Sequence, residues 1–301
     1  MNIAILIPVF NRKLKTLFCL DQLYKIDHAG KNISVVVIDD GSTDGTGEAI
    51  AKDYPQTIVL KGDGNLWWTG AINMGLQYAL KHDFDGVLLL NDDLHLASDF
   101  ISHLMAVIND NPGALVSSLK MLENDNEILT AGFNIKGKLK QIENNMQGEI
   151  YNEQSIDKVL HADILTGASL FIPLSVVREI GFLNYSKFPH NWGDLEYTWR
   201  ASLKGYKCLI AARSHVYTEY NPNYHRTYFV DSSRSEYLKN LFDNKRFCYG
   251  FKFLFNRSFM HRPKSIGTYL FMRGLANILK YIILKLFLPA STLKKYYKII
   301  Q

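Results

Sequence analysis

VVVIDDGSTDGT, residues 35–46, joins a run of β-branched residues to a cluster of turn and capping residues. Val and Ile suit a strand buried on both faces. Asp, Gly, Ser and Thr favour turns and helix N-caps. The stretch therefore predicts a strand over 34–38 that stops at Asp39, and a helix over 43–53. The alternation extends outward in both directions. Upstream lie a strand over 3–8 and a helix over 14–26; downstream lie a strand over 57–60, a helix over 69–82 and a strand over 86–90. This pace predicts an α/β fold with parallel strands joined by right-handed helical crossovers. Such sheets bind ligands outside the carboxyl ends of their strands, so the residues just after each strand matter most.

Those residues are PVFNR (8–12) after the first strand, DDGSTDGT (39–46) after the second and NDD (91–93) after the fourth. Adjacent carboxylates such as Asp92 and Asp93 repel each other. A divalent cation resolves the repulsion, and oxygen-only ligation suits Mg²⁺ or Mn²⁺ bound to substrate phosphates. A cap on a helix beginning near Ala97 is the alternative. Asp39 and Asp40 can accept hydrogen bonds from a nucleobase or ribose, or can act only as turn and cap residues. Trp67 and Trp68 offer stacking faces for a base or sugar, or core packing. Neighbouring residues cannot both face the same way, so one is expected in the site and one in the core. No GxGxxG follows the first strand and no GxxxxGK[ST] occurs, which argues against a dinucleotide cofactor and a P-loop.

Residues 119–158 are polar and poorly periodic, with strand candidates near 128–133, and read as an insertion over the site. A second ordered block over 161–217 holds TGASLFIP (166–173), a short helix to Ile180 and GDLEYTWRASLKG (193–205) as a helix. Asp194 opens that helix, where the dipole favours its ionised form. It is a candidate general base or a simple cap.

The chain has 301 residues, 47% hydrophobic and 21% charged, a composition that excludes a disordered or collagen-like chain. Cys19, Cys208 and Cys248 lack CxxC or zinc-type spacing and read as reduced thiols. The start MNIAILIPVFNR lacks the basic region and cleavage site of a signal peptide, and no stretch reaches 18 uncharged apolar residues. The net charge of +5 is unevenly placed: residues 245–301 carry 12 Lys and Arg and no Asp or Glu. The other 22 basic residues face all 29 acidic ones in residues 1–244. A body over 1–244 and a basic helical tail over 245–301 are therefore expected. Residues 265–288 are apolar but interrupted by Arg273, Lys280 and Lys285, and Arg273, Asn277 and Lys280 share a helix face. With Lys294, Lys295 and Lys298 following, residues 265–298 suit a helix lying on an anionic membrane surface. Packing on the body or across a homodimer is the alternative. An acidic body without a nucleic-acid motif argues against nucleic acid as a partner.

In order along the chain, IPVFNR, VVVIDDGSTDGT, GNLWWTGAINMGL, LLLNDD and GDLEYTWRASLKGY resemble the family 2 glycosyltransferases, inverting enzymes with the GT-A fold, over residues 1–220. Within that family the likeness is to rhamnosyltransferase-like enzymes of bacterial surface polysaccharides. The resemblance implies a mostly parallel central sheet flanked by helices, with a Rossmann-like nucleotide-binding half and a helical C-terminal appendage. It puts Pro8 and Asn11 around the nucleotide, Asp40 at the base and Asp39 beside it. Gly64, Asn65, Gly70, Ala71 and Asn73 match the donor-pocket segment, which also holds Trp68. Asp92 matches a residue near the ribose, Asp93 the metal ligand and Asp194 the catalytic base, with Gly167, Glu196 and Arg200 on the acceptor side.

The implied cofactor is Mg²⁺ or Mn²⁺. The implied donor is dTDP-rhamnose or a UDP-sugar, and the acceptor a glycan or lipid-linked glycan at the cytoplasmic face of the cell membrane. A non-catalytic nucleotide-sugar-binding or scaffold protein docked at the membrane is the alternative. Five positions depart from the family pattern. Gly193 stands where many members have Glu, Glu196 replaces the motif's later Asp, and Phe182-Leu183-Asn184 replaces Phe-Asp-Glu. Thr218 stands where the family often has a metal- or diphosphate-contacting His, with His215 and His225 as nearby substitutes.

Overall fold

The computed structural model describes residues 1–26, 32–123, 126–219, 224–242 and 250–296, without the side chains of 224–226 and 296. Lys245, Cys248, Tyr297, Lys298 and the His225 and Tyr296 side chains lie outside the described residues. The chain divides into two compact units, Met1–Tyr185 with Trp192–Glu219, and Ser186–Asn191 with Tyr220–Gln301.

In the first unit, β1 (Asn2–Val9), β2 (Asn32–Asp39), β3 (Ile58–Lys61) and β4 (Gly86–Leu90) run parallel in the order β3-β2-β1-β4. They are connected through α1 (Lys13–Lys25), α2 (Thr46–Asp53) and α3 (Trp67–Lys81). Alternate residues of β1 serve two cores. Ile3, Ile5, Ile7 and Val9 meet Leu20 and Leu23 of α1 on one face. Ala4 and Leu6 meet Ile72 and Leu76 of α3 on the other. Double-sided burial is why these strands read as continuous apolar runs. Each such aliphatic side chain stabilises the fold by about 1.5–3 kcal/mol. A Cβ on Gly75 would lie 2.8 Å from Leu6, so α3 lies flush on the sheet because that residue is Gly.

After β4 the chain adds β5 (His95–Leu96), α4 (Phe100–Asp110), β6 (Leu115–Leu122), β7 (Ile128–Thr130) and a hairpin of β8 (Phe133–Lys136) with β9 (Gln141–Asn144). Then follow β10 (Val159–Ala162), β11 (Ser169–Pro173), α5 (Leu174–Ile180), α6 (Gly193–Leu203) and β12 (Cys208–Thr218). The sheet continues β4-β11-β6-β12-β10, with β11 antiparallel to both its neighbours and β12 parallel to β6. Residues 119–122, expected to begin an insertion, instead form the end of β6, paired with β12 on one side and with β7 on the other. The polarity there is internal: Ser118 bonds Ser169 and Ser214, each 2.8 Å away, and stitches three strands together. The helix expected from residue 43 begins at Thr46. The reason is that Asp44 accepts from Thr46 N at 3.1 Å and from Lys13 N at 3.0 Å, joining the starts of α1 and α2.

The second unit is helical: α7 (Tyr224–Asp231), α8 (Arg234–Asn240), α9 (Phe251–Phe259), α10 (Lys264–Phe287) and α11 (Ala290–Tyr296). Phe229, Val230, Tyr237, Leu241, Ile278 and Leu293 form its core. Lys285 turns inward and donates to the carbonyls of Phe229 and Val230 near the C-terminus of α7, where a cation is favoured. It therefore leaves the basic surface of α10. Among the described residues no helix is long and apolar enough to cross a membrane.

Candidate active site

The carboxyl ends of β1, β2 and β4 meet in one region. Asn11, at φ 51°, accepts from Thr43 N at 2.7 Å through its side chain, and its own N–H donates to Ser42 Oγ at 2.9 Å. Asp39 accepts from Ser42 N at 2.9 Å. Asp40, 5% exposed, accepts from Gly64 N at 2.9 Å and from Trp67 N at 3.0 Å, so it anchors the start of α3. Gly64 holds φ 85°, a conformation that favours glycine. Pro8 pairs with Ile38 inside the sheet, one residue before the turn. Each carboxylate keeps unused lone pairs, since one has about four acceptor directions.

At the end of β4 the two adjacent carboxylates part company. Asp92 is 2% exposed and accepts from Thr16 Oγ1 at 3.1 Å; Asp93 is 38% exposed. The Arg12 guanidinium spans them, 3.2 Å from Asp92 and 3.0 Å from Asp93. Burial pushes Asp92 up to about 6, with Arg12 pulling the other way. Neither carboxylate caps a helix, because β5 intervenes and α4 starts only at Phe100. A cleft of about 240 Å³ beside them is lined by Asp92, Asp93, His95, Glu123, Thr218 and Lys15, among others. Among the described residues no three His, Cys, Asp or Glu side chains converge to hold a metal ion between them. Asp93, with Asp92 behind it, is placed to offer carboxylate oxygens to a hard divalent ion, which would take its other ligands from water and phosphate. That donor set fits Mg²⁺ or Mn²⁺.

Asp194 lies in the first turn of α6 and accepts from Gly167 N at 2.6 Å. A Cβ on Gly167 would come within 2.6 Å of Trp68 and 3.0 Å of Asp194, so only glycine permits this three-way contact. Trp68 Nε1 donates to Asn91 Oδ1 at 3.0 Å. The indole thereby links the end of β4 to Gly167, the residue that donates to Asp194. Trp67 and Trp68 are both half-buried, so neither is the fully buried core tryptophan expected from the sequence, and Trp68 also packs against the core. Burial raises the Asp194 pKa above the ordinary carboxylate value, opposed by the Gly167 N–H and the charge of Lys120. Lys120, near the end of β6, is itself lowered by burial and raised by Asp93 and Asp194 together. One ammonium thus stands in the field of both carboxylates.

The model of the family described as glycosyl transferase family 2 matches residues 4–167, which run from β1 through the strand ends to Gly167. The chain belongs to this family. An uncharacterized glycosyltransferase of Rickettsia typhi is 25% identical over 248 residues, covering 79% of this chain and 72% of that protein. Among solved structures, the mannosyltransferase PcManGT from Pyrobaculum calidifontis, in complex with GDP-Man and Mn²⁺, superposes with a TM-score of 0.55 at 16% identity. That match covers 99% of this chain and 79% of the other. S. aureus TarS 1-349 superposes at 0.54 with 14% identity, over 94% and 81% of the two chains. At these identities the likeness carries the fold, and the fold is the GT-A fold.

Several residues that the family resemblance brings to the site have other engagements. Asn73 donates to Leu183 O at 2.9 Å and accepts from Leu183 N at 3.0 Å. Asn65 O accepts from the Tyr185 hydroxyl at 2.8 Å, and Gly70 leaves room for the same ring. Ala71 is buried in the core. Glu196 pairs with Arg200 at 3.1 Å, and Arg200 donates to Ile180 O and Phe182 O, so both hold the segment after α5. His215 is placed away from the acidic pair: it lies beside Ala212 O at 2.9 Å and edge-on to Tyr151 at 4.4 Å. The cleft beside Asp93 is lined by Thr218 instead. Sequence reasoning missed Arg12, Thr16 and Lys120. Arg12 directly follows Asn11 at a strand end, and a neighbouring pair of carboxylates requires such a cation.

Proposed function

We propose that this family 2 glycosyltransferase transfers a sugar, with inversion, from a nucleotide diphosphate sugar to a hydroxyl of a glycan or lipid-linked acceptor. The donor is dTDP-rhamnose or a UDP-sugar, the setting is bacterial cell-surface polysaccharide synthesis, and the enzyme works peripherally at the cytoplasmic membrane face through residues 265–298. The reading rests on one observation: Trp68 donates to Asn91 at the end of β4 at 3.0 Å and lies against Gly167, whose N–H donates to Asp194 at 2.6 Å. The strand end that carries Asp92 and Asp93 and the helix start that carries Asp194 therefore lie in one contiguous region. A direct displacement requires such an arrangement, with leaving diphosphate on one side and attacking hydroxyl on the other. The complex of the Pyrobaculum mannosyltransferase with GDP-Man and Mn²⁺ supports a metal and a nucleotide sugar here.

Asp93, the more exposed of its pair, holds Mg²⁺ or Mn²⁺ with Asp92 behind it. That ion, when bound, supplies positive charge for the departing diphosphate. Asp39, Asp40 and Asn11 form the nucleoside end of the site. Asp194 takes the proton of the acceptor hydroxyl, a service worth about 10²–10⁴ in rate. Gly167 and Trp68 fix where Asp194 stands.

The test is a thermal-shift panel of UDP-, dTDP- and GDP-sugars with and without Mn²⁺, followed by transfer assays with NMR of the product anomer. A donor-specific shift identifies the nucleotide by linkage. Asp194→Asn should keep that shift and lose transfer by at least about a hundredfold. Asp93→Asn should lose the Mn²⁺-dependent part of the shift. Undiminished turnover by Asp194→Asn would sink the base assignment.

A further inference from the structure

Helix α10 has two apolar faces, and among the described residues only one of them has a partner. On the inner side Gly267 and Gly274 lie against Phe259 and Leu254 of α9 so closely that no Cβ would fit. Ile278 and Lys285 are buried on that same side. On the outer side Tyr269, Met272, Leu279, Ile283 and Leu286 are 50, 58, 56, 56 and 39% exposed, and Phe287 is 76% exposed. Their spacing of three and four, completed by exposed Ala276, confines them to an arc of about 100°. The stripe runs about 27 Å along the helix. Exposed Arg273 and Lys280 border it along one edge.

We propose that this outward face of α10 docks on an anionic lipid bilayer, with the apolar stripe in the interface and Arg273 and Lys280 at the headgroups. The inference deepens the membrane reading of the proposed function and rests on it, assigning a face where the sequence offered only a segment. Charge selects the occupant. No Asp or Glu occurs from residue 245 to 301, so the border is cationic throughout. A second copy pairing through the same stripe would bring Arg273 and Lys280 of both copies together without carboxylates on α9, α10 or α11 to meet them. Anionic headgroups complement that border, and a helix with an apolar face and a basic margin is built to lie in a bilayer interface.

The experiment uses the full chain with vesicles of phosphatidylcholine alone or mixed with phosphatidylglycerol. Co-sedimentation is expected with the mixed vesicles and at least tenfold less with the neutral ones. Arg273→Gln with Lys280→Gln should weaken binding about fivefold per cation. Met272→Glu with Leu279→Glu and Ile283→Glu should abolish it, while donor-induced thermal shift and circular dichroism stay unchanged. Equal binding of the triple variant, or equal binding to both vesicle types, overturns the proposal. So does a dimer in solution that the triple variant dissolves, which would assign the stripe to a second copy. Transfer to a soluble acceptor, measured on the same variants, separates the two failures. Transfer without vesicle binding sinks the docking face alone, and vesicle binding without donor recognition or transfer sinks the glycosyltransferase reading alone.

Discussion

Gly167 donates its backbone N–H to Asp194 at 2.6 Å from a position where a Cβ would lie only 3.0 Å from the Asp194 side chain. The same Cβ would meet Trp68 at 2.6 Å. Gly167→Ala must therefore push apart the strand end and the helix start. Overpacking of this kind costs about 1–3 kcal/mol. A displaced base should lower kcat by about a hundredfold, since an ångström of misplacement has that effect. Donor binding should persist, because the nucleoside end is held by Asp39 and Asp40. Steady-state kinetics beside a nucleotide-induced thermal shift reads both quantities.

Lys120 and Asp194 make a prediction about pH. Burial raises the Asp194 pKa, and Lys120 lowers it. A base works only when ionised, so kcat/KM should rise with pH through a limb above the usual carboxylate range. Lys120→Gln removes the opposing charge, and the limb should then move to still higher pH. A profile of kcat/KM against pH for both proteins checks the sign. A limb moving to lower pH in the variant would mean that Lys120 acts elsewhere.

What the sequence revealed follows physical lines. β1, β2 and β4 were legible because burial on both faces forces runs of Val, Ile and Leu, as in LLL before Asn91. The Asp92–Asp93 pair was legible as a charge conflict, but its partner was not, since Arg12 lies 81 residues from Asp93 in sequence. Lys120 was hidden for a different reason: a lone Lys carries no signature, and its place in the sheet, between β12 and β7, is set by pairings distant in sequence. The outer stripe of α10 was half legible. The basic positions showed, while the division of apolar residues between an inner and an outer face depends on where α9 packs.

Arg12 carries a stability prediction. Its guanidinium holds Asp92, which is 2% exposed, and Asp93 at once. Arg12→Ala leaves a buried carboxylate beside a like charge, with Thr16 still donating to it. Loss of one partner of such a group costs about 1–3 kcal/mol. Arg12→Lys keeps the charge but not the fork that reaches two carboxylates, so it should fall between. Urea unfolding at neutral pH orders the three proteins, and an Arg12→Ala protein as stable as its parent would show that Asp92 needs no cation.

Glu196 and Arg200 separate a family expectation from a local one. The resemblance puts them on the acceptor side, yet a spacing of two turns Glu196 to the opposite face of α6 from Asp194. There Arg200 bonds Glu196 at 3.1 Å and the carbonyls of Ile180 and Phe182, closing the end of α5. Lys cannot reproduce three bonds from one planar fork. Arg200→Lys should therefore lower stability by about 1–2 kcal/mol, while KM for the acceptor stays within about twofold. A variant of parental stability with an acceptor KM raised tenfold or more would return Arg200 to the acceptor side. Kinetics at saturating donor, run beside urea unfolding, tells the two apart.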